Sequence, residues 1–211
     1  MQYGLAVESR SSWQLKHDAI AAAALVLFAR DGYERTSVDA IAAEAGVSKR
    51  TVYSHFGDKE NLFLVVLRDT HDTMRERVSD ILDRNLRDTD DVRAALTMCI
   101  REIVRTITRA PERATLLRLL IAEAPYFPAL LDLWQNRGIV PLIAEPLAKL
   151  AASGLLDTDD AGLAAEHLSA LTFGQVSNKS MMGTVELTDS EADRIVTSGI
   201  AAFLRAYAPA R

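Results

Sequence analysis

Apolar residues recur along most of this chain at intervals of three and four, the spacing that lines one face of an α-helix, and no segment reads as a pair of strands. Ile20, Ala24, Leu27 and Phe28 form the first such stripe. It opens at the capping pattern Ser11-Ser12-Trp13-Gln14 and stops at Asp31-Gly32, which predicts a helix over about 12–30. No alternating residues flank Asp31-Gly32, so the pair reads as a helix stop rather than a hairpin turn, with Gly32 left-handed and Tyr33 folded back onto the helix. Thr36-Ser37-Val38-Asp39 caps a second stripe, Val38, Ile41, Ala42 and Ala45, closed by Gly46 after barely two turns. Ser48 caps a third helix, Lys49 to about Ser54.

Gly57-Asp58-Lys59-Glu60 opens a long fourth helix ending near Arg84, with Leu62, Phe63, Val66, Leu67, Met74, Val78, Ile81 and Leu82 on one side. The fifth helix carries Val92, Leu96, Cys99, Ile100, Ile103, Val104 and Ile107; the sixth begins at Pro111 and ends at Pro125. From Pro128 to about Ala152 the pattern stays helical, but Gly138, Pro141 and Pro146 interrupt it and predict a break or kink near 138–141. Two more helices follow, from about Asp159 to Ser180 and from the capping box Thr188-Asp189-Ser190-Glu191 onward. The expectation is an all-α chain of nine helices.

Composition narrows the function. A length of 211 residues, 49% of them hydrophobic and 25% charged, suits a globular fold with a real core. A net charge of -5 argues against a protein that coats nucleic acid over a broad basic face, yet leaves room for a small DNA-reading surface. The single cysteine, Cys99, cannot form an internal disulfide and reads as a packing residue. The first ten residues lack the basic and apolar regions of an export signal, and no stretch is apolar enough to span a bilayer, so a cytoplasmic protein with no membrane partner is expected. There is no His-Glu-x-x-His, no cysteine pair, no glycine-rich phosphate loop and no Gly-x-Ser-x-Gly elbow, hence no metal site, catalytic residue or cofactor is assigned and no enzyme is expected.

The second and third helices, joined by a turn containing Gly46, have helix-turn-helix geometry, with Val38, Ile41, Ala42, Val47 and Val52 placed to share a core. In such a unit the second helix enters the major groove. Lys49, Arg50, Thr51 and Tyr53 fit its solvent face, and Arg50 is the favoured base reader because a guanidinium grips a guanine edge bidentately. Thr51, Tyr53 and His55 offer further donors, and Lys59 begins the fourth helix, whose free N–H groups attract phosphate. His55 also has a plain alternative, filling space beside Phe56; His17, His71 and His167 take that structural reading by default. Residues 1–60 hold seven Lys/Arg against eight Asp/Glu, so any affinity must come from a few well-aimed cations and helix termini.

Ile20, Ala23, Ala24, Leu27, Phe28, Gly32-Tyr33, Thr36 to Val38, Ile41-Ala42, Ala45 to Lys49, Thr51 to Tyr53, His55-Phe56, Lys59-Glu60 and Leu62-Phe63 together resemble the DNA-binding signature of the TetR family. The resemblance covers roughly 14–67. It implies that Thr36 (with Ser37 beside it), Ser48, Lys49, Thr51, Tyr53, His55 and Lys59 occupy positions used for DNA contact, with Arg50 in the variable, sequence-selecting part. It also implies the architecture: a helix-turn-helix domain at 1–60 and a helical-bundle ligand-binding and dimerisation domain at 61–211.

From that architecture follow a double-stranded DNA operator, a homodimer and an unidentified small-molecule effector. Helices four to seven of the family surround a cavity. His71, Met74, Met98, Leu117, Arg118, Tyr126, Phe127, Trp134 and Phe173 are the candidate lining, although ordinary core packing explains most of them equally well. The helix at 159–180 is apolar or small on most faces, so a partner copy is expected to cover one of them. Leu168, Leu171, Thr172 and Val176, with Ile195, Ile200 and Phe203 of the last helix, are the candidate interface. Two rival readings stay open: a constitutive regulator or activator with an empty core, and a helical ligand-binding or scaffolding protein without DNA binding.

Overall fold

The structure, a computed structural model, describes residues 11–87, 89–135 and 138–209; the side chains at 111–113 and 134 lie outside the description. Ten helices and no strand are present among the described residues. The chain divides into two compact units, up to Arg68 and from Asp69 onward.

In the first unit α1 spans Ser12–Arg35, capped by Ser11, whose hydroxyl accepts from the Gln14 amide. Its helical backbone is interrupted at Gly32, where φ is 79° and ψ 172°, a region that L side chains avoid. φ is positive as expected, but ψ is extended rather than left-handed helical, so the chain turns away sharply. Tyr33 then lies against Phe28 and Phe63, with centroids 6.0 and 4.9 Å away. Two short helices follow, α2 (Val38–Glu44) and α3 (Lys49–Phe56), with Ser37 and Ser48 as caps accepting from the Ala40 and Thr51 amides. The turn between them passes through Gly46 at φ 66°. Ile20, Ala24, Leu27 and Phe28 of α1, Ile41 of α2, and Val52 and Phe56 of α3 are buried with Leu62, Phe63 and Leu67 at the start of α4 (Lys59–Leu86). Truncating a fully buried ring such as Phe28 or Phe63 is expected to cost about 3–5 kcal/mol.

The second unit contains the rest of α4, then α5 (Val92–Thr108), α6 (Pro111–Glu123), α7 (Ala129–Gln135) and α8 (Ile139–Ala152). The stretch expected to kink near 138–141 is two helices, because Gly138 is extended at the start of α8, and this accounts for ten helices instead of nine. Pro141 falls in the first turn, where its missing N–H has no helical partner to lose. The ninth helix, α9, runs through Ala161–Ser169, a π-helical turn at Ala170–Gly174, and Gln175–Lys179. The last, α10 (Asp189–Tyr207), begins with the expected capping box: Thr188 Oγ1 accepts from the Glu191 amide, and Glu191 accepts from the Thr188 amide. Leu96, Ile100 and Ile103 of α5, Ile143 and Leu147 of α8, Leu168 and Val176 of α9, and Val196, Ile200 and Phe203 of α10 form one core with Val78 and Leu82 of α4.

At the crossing of α9 and α10 the backbones come very close. A Cβ built on Gly199 would stand 2.2 Å from the Leu171 carbonyl oxygen and 2.9 Å from Thr172 Cγ2. The π turn of α9 lies at this contact, so the widened turn and the missing side chain sit face to face.

Candidate nucleic-acid interface

An eight-residue helix can bury one side and offer the other to solvent, and α3 does so. Val52 and Phe56, four apart, are buried at 2% and 3% exposure, whereas Lys49, Arg50, Tyr53 and Ser54 are exposed. The two cations differ in their surroundings. Lys49 Nζ donates to Asp39 Oδ2 on α2 at 2.9 Å, and that hydrogen bond, with the charge behind it, holds the ammonium above its ordinary pKa. Both partners are exposed, so the pair is worth little and is open to exchange for another anion. Arg50 has no hydrogen-bond or ion-pair partner among the described residues and extends freely from the helix.

Ser48 and Thr51 share a hydroxyl hydrogen bond of 2.8 Å at the first turn of α3, and Ser37 sits exposed at the N-terminus of α2. Tyr53 is 43% exposed, one helical turn beyond Lys49. Ser48 and Thr51 stand at the N-terminus of α3 and Ser37 at that of α2, where backbone N–H groups favour a negative ligand.

Four expected contacts have neighbours of their own. Thr36 is 3% exposed, and its hydroxyl donates to the Gly32 oxygen at 2.7 Å and the Leu27 oxygen at 3.2 Å; it seals the end of α1 and has no donor left for a phosphate. Lys59 lies with Nζ 4.2 Å above the Tyr33 ring and donates to the Glu34 carbonyl at 3.3 Å. The N-terminus of α4, expected to be free for phosphate, is capped by Asp58, whose carboxylate accepts from the Asn61 amide at 2.7 Å. His55 packs in a ring cluster: Trp13 stacks on it at 4.6 Å, and His17 is 6.0 Å away and 4.5 Å from Phe56. Burial lowers the His55 pKa first, and the neighbouring charges of His17 and Lys16 lower it further.

Two residues of this region escaped the sequence reading. Asn61 Nδ2 donates to the Phe56 carbonyl at 2.8 Å and fixes the last turn of α3 against the start of α4. Trp13 covers the α3 end from the first turn of α1. Its signal was present in the spacing, since Trp13 and His17 continue the Ile20, Ala24 stripe by one more turn.

The regulatory candidates separate by burial. Met74 and Phe173 pack in or against the core of the second unit, Leu117 and Phe127 are buried, and His71 is half-buried with partners of its own. Met98 (62% exposed), Tyr126 (77% exposed) and Arg118, which donates to Thr115 Oγ1, lie on the outer surface and line no interior; the Trp134 side chain is outside the described residues. Of the expected interface, Leu168, Thr172, Val176, Ile200 and Phe203 are at most 1% exposed within a single chain, so they belong to the protomer's own core. Helical periodicity identifies a buried face without saying what buries it. Ile195 is buried and Leu171 half-buried; both line an open groove of about 270 Å³ with Gln175, Lys179, Arg194, Ser198, Gly199 and Ala202.

A helix-turn-helix unit with cations on its outer helix, followed by a larger all-helical unit, defines the class of helix-turn-helix transcriptional regulators. Comparison with known proteins narrows it. Residues 20–66 match the family of bacterial regulatory proteins of the tetR family, and residues 94–209 match the AefR-like transcriptional repressor C-terminal domain. A TetR-family transcriptional regulator of Mesorhizobium loti has a solved structure with TM-score 0.86 and 30% identity over 95% of this chain and 100% of that one. The flavonoid-responsive regulator FrrA is similar at TM-score 0.69 and 28% identity, over 93% of this chain and 98% of its own. The transcriptional repressor AcnR of Corynebacterium glutamicum is 43% identical over 53 residues, 25% of this chain, and the match spans only 28% of its length. The chain belongs to the TetR family of transcriptional regulators, which are not enzymes. Among the described residues no helix is long and apolar enough to cross a membrane, and no cluster of three metal-ligating side chains occurs.

Proposed function

We propose that this protein is a sequence-specific DNA-binding repressor that acts as a homodimer on a palindromic operator and is released by a small molecule. The observation that carries the reading is α3 itself: a helix anchored by Val52 and Phe56 that presents Arg50, Lys49 and Tyr53 outward, with Arg50 unengaged. Residues 1–60 form the DNA-binding domain and 61–211 the regulatory one. Helix α4 is uninterrupted from Lys59 to Leu86 and carries residues of both, so displacing its later turns changes the setting of α3.

Dimerisation uses the exposed faces of α9 and α10 around Leu171, Ser198 and Ala202, where the groove leaves space for a partner's side chains. Leu171→Glu is expected to shift the protein to monomer in sedimentation. The effector binds among His71, Met74, Leu117, Phe127 and Phe173; similarity to a flavonoid-responsive regulator supports a small aromatic molecule.

The test is selection of bound duplexes from random DNA. A two-fold symmetric site is expected, and Arg50→Ala should relax preference at one base position in each half by about 1–3 kcal/mol. A flavonoid panel titrated onto the complex then checks release. Recovery of an unenriched pool at low salt would remove the DNA-binding reading altogether.

A further inference from the structure

Trp13 lies outside the segment that matches the family's DNA-binding region, yet its indole stacks on His55 in the last turn of the recognition helix. The rings of Trp13 and His55 stack at 4.6 Å with 25° between their planes, and His17, itself stacked on Trp13 at 5.3 Å, closes the same side. Within this stack His55 Nδ1 is sealed from solvent and has no hydrogen-bond partner among the described residues. Nε2 is not among the buried, unpartnered side-chain atoms.

That asymmetry decides which form of the ring is stable. An imidazolium needs partners for two N–H donors and the Nδ1–H tautomer needs one at the sealed atom, whereas the Nε2–H tautomer leaves only a lone pair there. The charged groups nearest the ring act in the same direction. His17 and Lys16 on α1 repel an imidazolium; Asp18, the carboxylate of that face, lies 3.9 Å from His17 Nδ1 and accepts a hydrogen bond from Gln14. The position of His55 in the last turn of α3, where a helix C-terminus favours a cation, is outweighed by burial.

We propose that Trp13 is a positioning residue for DNA binding: by stacking over His55 it keeps the imidazole neutral and protonated on Nε2, and so presents a fixed N–H donor to a backbone phosphate at the end of α3. The inference rests on the reading of α3 as the DNA-contacting helix. Its consequence is a phosphate contact whose strength does not follow histidine titration, because the donor is an N–H present on both sides of the ordinary histidine range.

The substitutions that test it imitate one nitrogen at a time. A Gln amide places an N–H near the Nε2 position and an Asn amide near Nδ1. On a random-sequence duplex at low salt, His55→Gln is expected to bind within about twofold of the parent, while His55→Asn and His55→Ala lose about fivefold, the worth of one such hydrogen bond. In Trp13→Ala, nitrogen NMR of His55 should show a mixed tautomer and a titration returned toward pH 6.5, and duplex affinity should acquire a pH dependence absent from the parent. Trp13→Phe, which keeps an aromatic face, should restore both.

If Trp13→Ala folds but leaves the His55 nitrogen signals and the pH profile unchanged, the positioning role is refuted while DNA binding by α3 stands. If His55→Ala binds as tightly as the parent while Arg50→Ala is weakened, the phosphate contact itself is refuted. A parent protein indifferent to every duplex refutes the α3 reading first, and this inference with it.

Discussion

Gly199 is where the packing of this protein is most exposed to a single methyl group. In Gly199→Ala the new Cβ would meet the Leu171 carbonyl oxygen at 2.2 Å, the Leu171 carbonyl carbon at 2.9 Å and Thr172 Cγ2 at 2.9 Å. Two of these atoms belong to the main chain, so no rotamer change relieves the overlap and α9 must retreat by roughly 1 Å. Leu168, Val176, Val196, Ile200 and Phe203 share the core on either side of this crossing and separate with it. Overpacking against backbone belongs at the upper end of the usual 1–3 kcal/mol, about 3 kcal/mol; replacing a mid-helix glycine by alanine returns about 1 kcal/mol. The net destabilisation is about 2 kcal/mol, which for a chain of this size lowers Tm by about 4–8 °C. Thermal melts followed by circular dichroism measure it, with Arg205→Lys, an exposed position on the same helix, as the control. Trimming Leu171 should not rescue the variant, because the obstacle is its carbonyl and not its side chain. A Gly199→Ala protein that melts at or above the parent temperature would refute the close crossing of α9 and α10.

The other expectations concern the first unit and the one thiol. Asp39→Asn frees Lys49 from its ion pair and should tighten binding to any duplex at low salt by about threefold, with a salt slope steeper by about one; an unchanged slope would show that Lys49 makes no phosphate contact. Thr36→Val keeps the shape but loses the two carbonyl contacts of the hydroxyl, and should lower stability by about 1–2 kcal/mol in denaturant titrations while leaving the salt slope of DNA binding untouched. Burial pushes the Cys99 thiol up to about 12 from 9.0, so the native protein should resist thiol reagents at pH 8 and react only on unfolding. Because the folded pKa is the higher one, the stability tied to this thiol is fully present below pH 9 and is lost as pH rises from there toward 12. Cys99→Ala should flatten that part of the alkaline stability profile.

Much of the site was legible because its signals are local. Ser37, Ser48 and Thr188 each cap the helix expected of them, since a short hydroxyl side chain satisfies an amide three residues away whatever the rest of the protein does. The inward and outward sides of α3 likewise follow from spacing alone. The contacts that spacing could not show all involve partners distant in sequence. Thr36 reaches back nine residues to the Leu27 carbonyl, Lys59 reaches back to Tyr33 and Glu34, and His55 meets Trp13 from the far end of α1. In each case the residue type was read correctly as a donor or a cation, and the chain had already engaged it.

The regulatory unit shows the same division more sharply. Periodicity picked out Leu168, Val176, Ile200 and Phe203 as one-sided, yet a helical stripe looks alike whether its own chain or a second copy covers it; only the assembled fold places them inside the protomer. Gly199 gave no warning in the sequence beyond being a glycine within a helix, because its necessity lies in the Leu171 carbonyl of another helix. Order along the chain therefore determined the helices, their ends and the unit that faces DNA, all of which depend on interactions spanning a few residues. Which polar groups remain free, and which apolar faces remain open, was decided only when helices far apart in sequence came into contact.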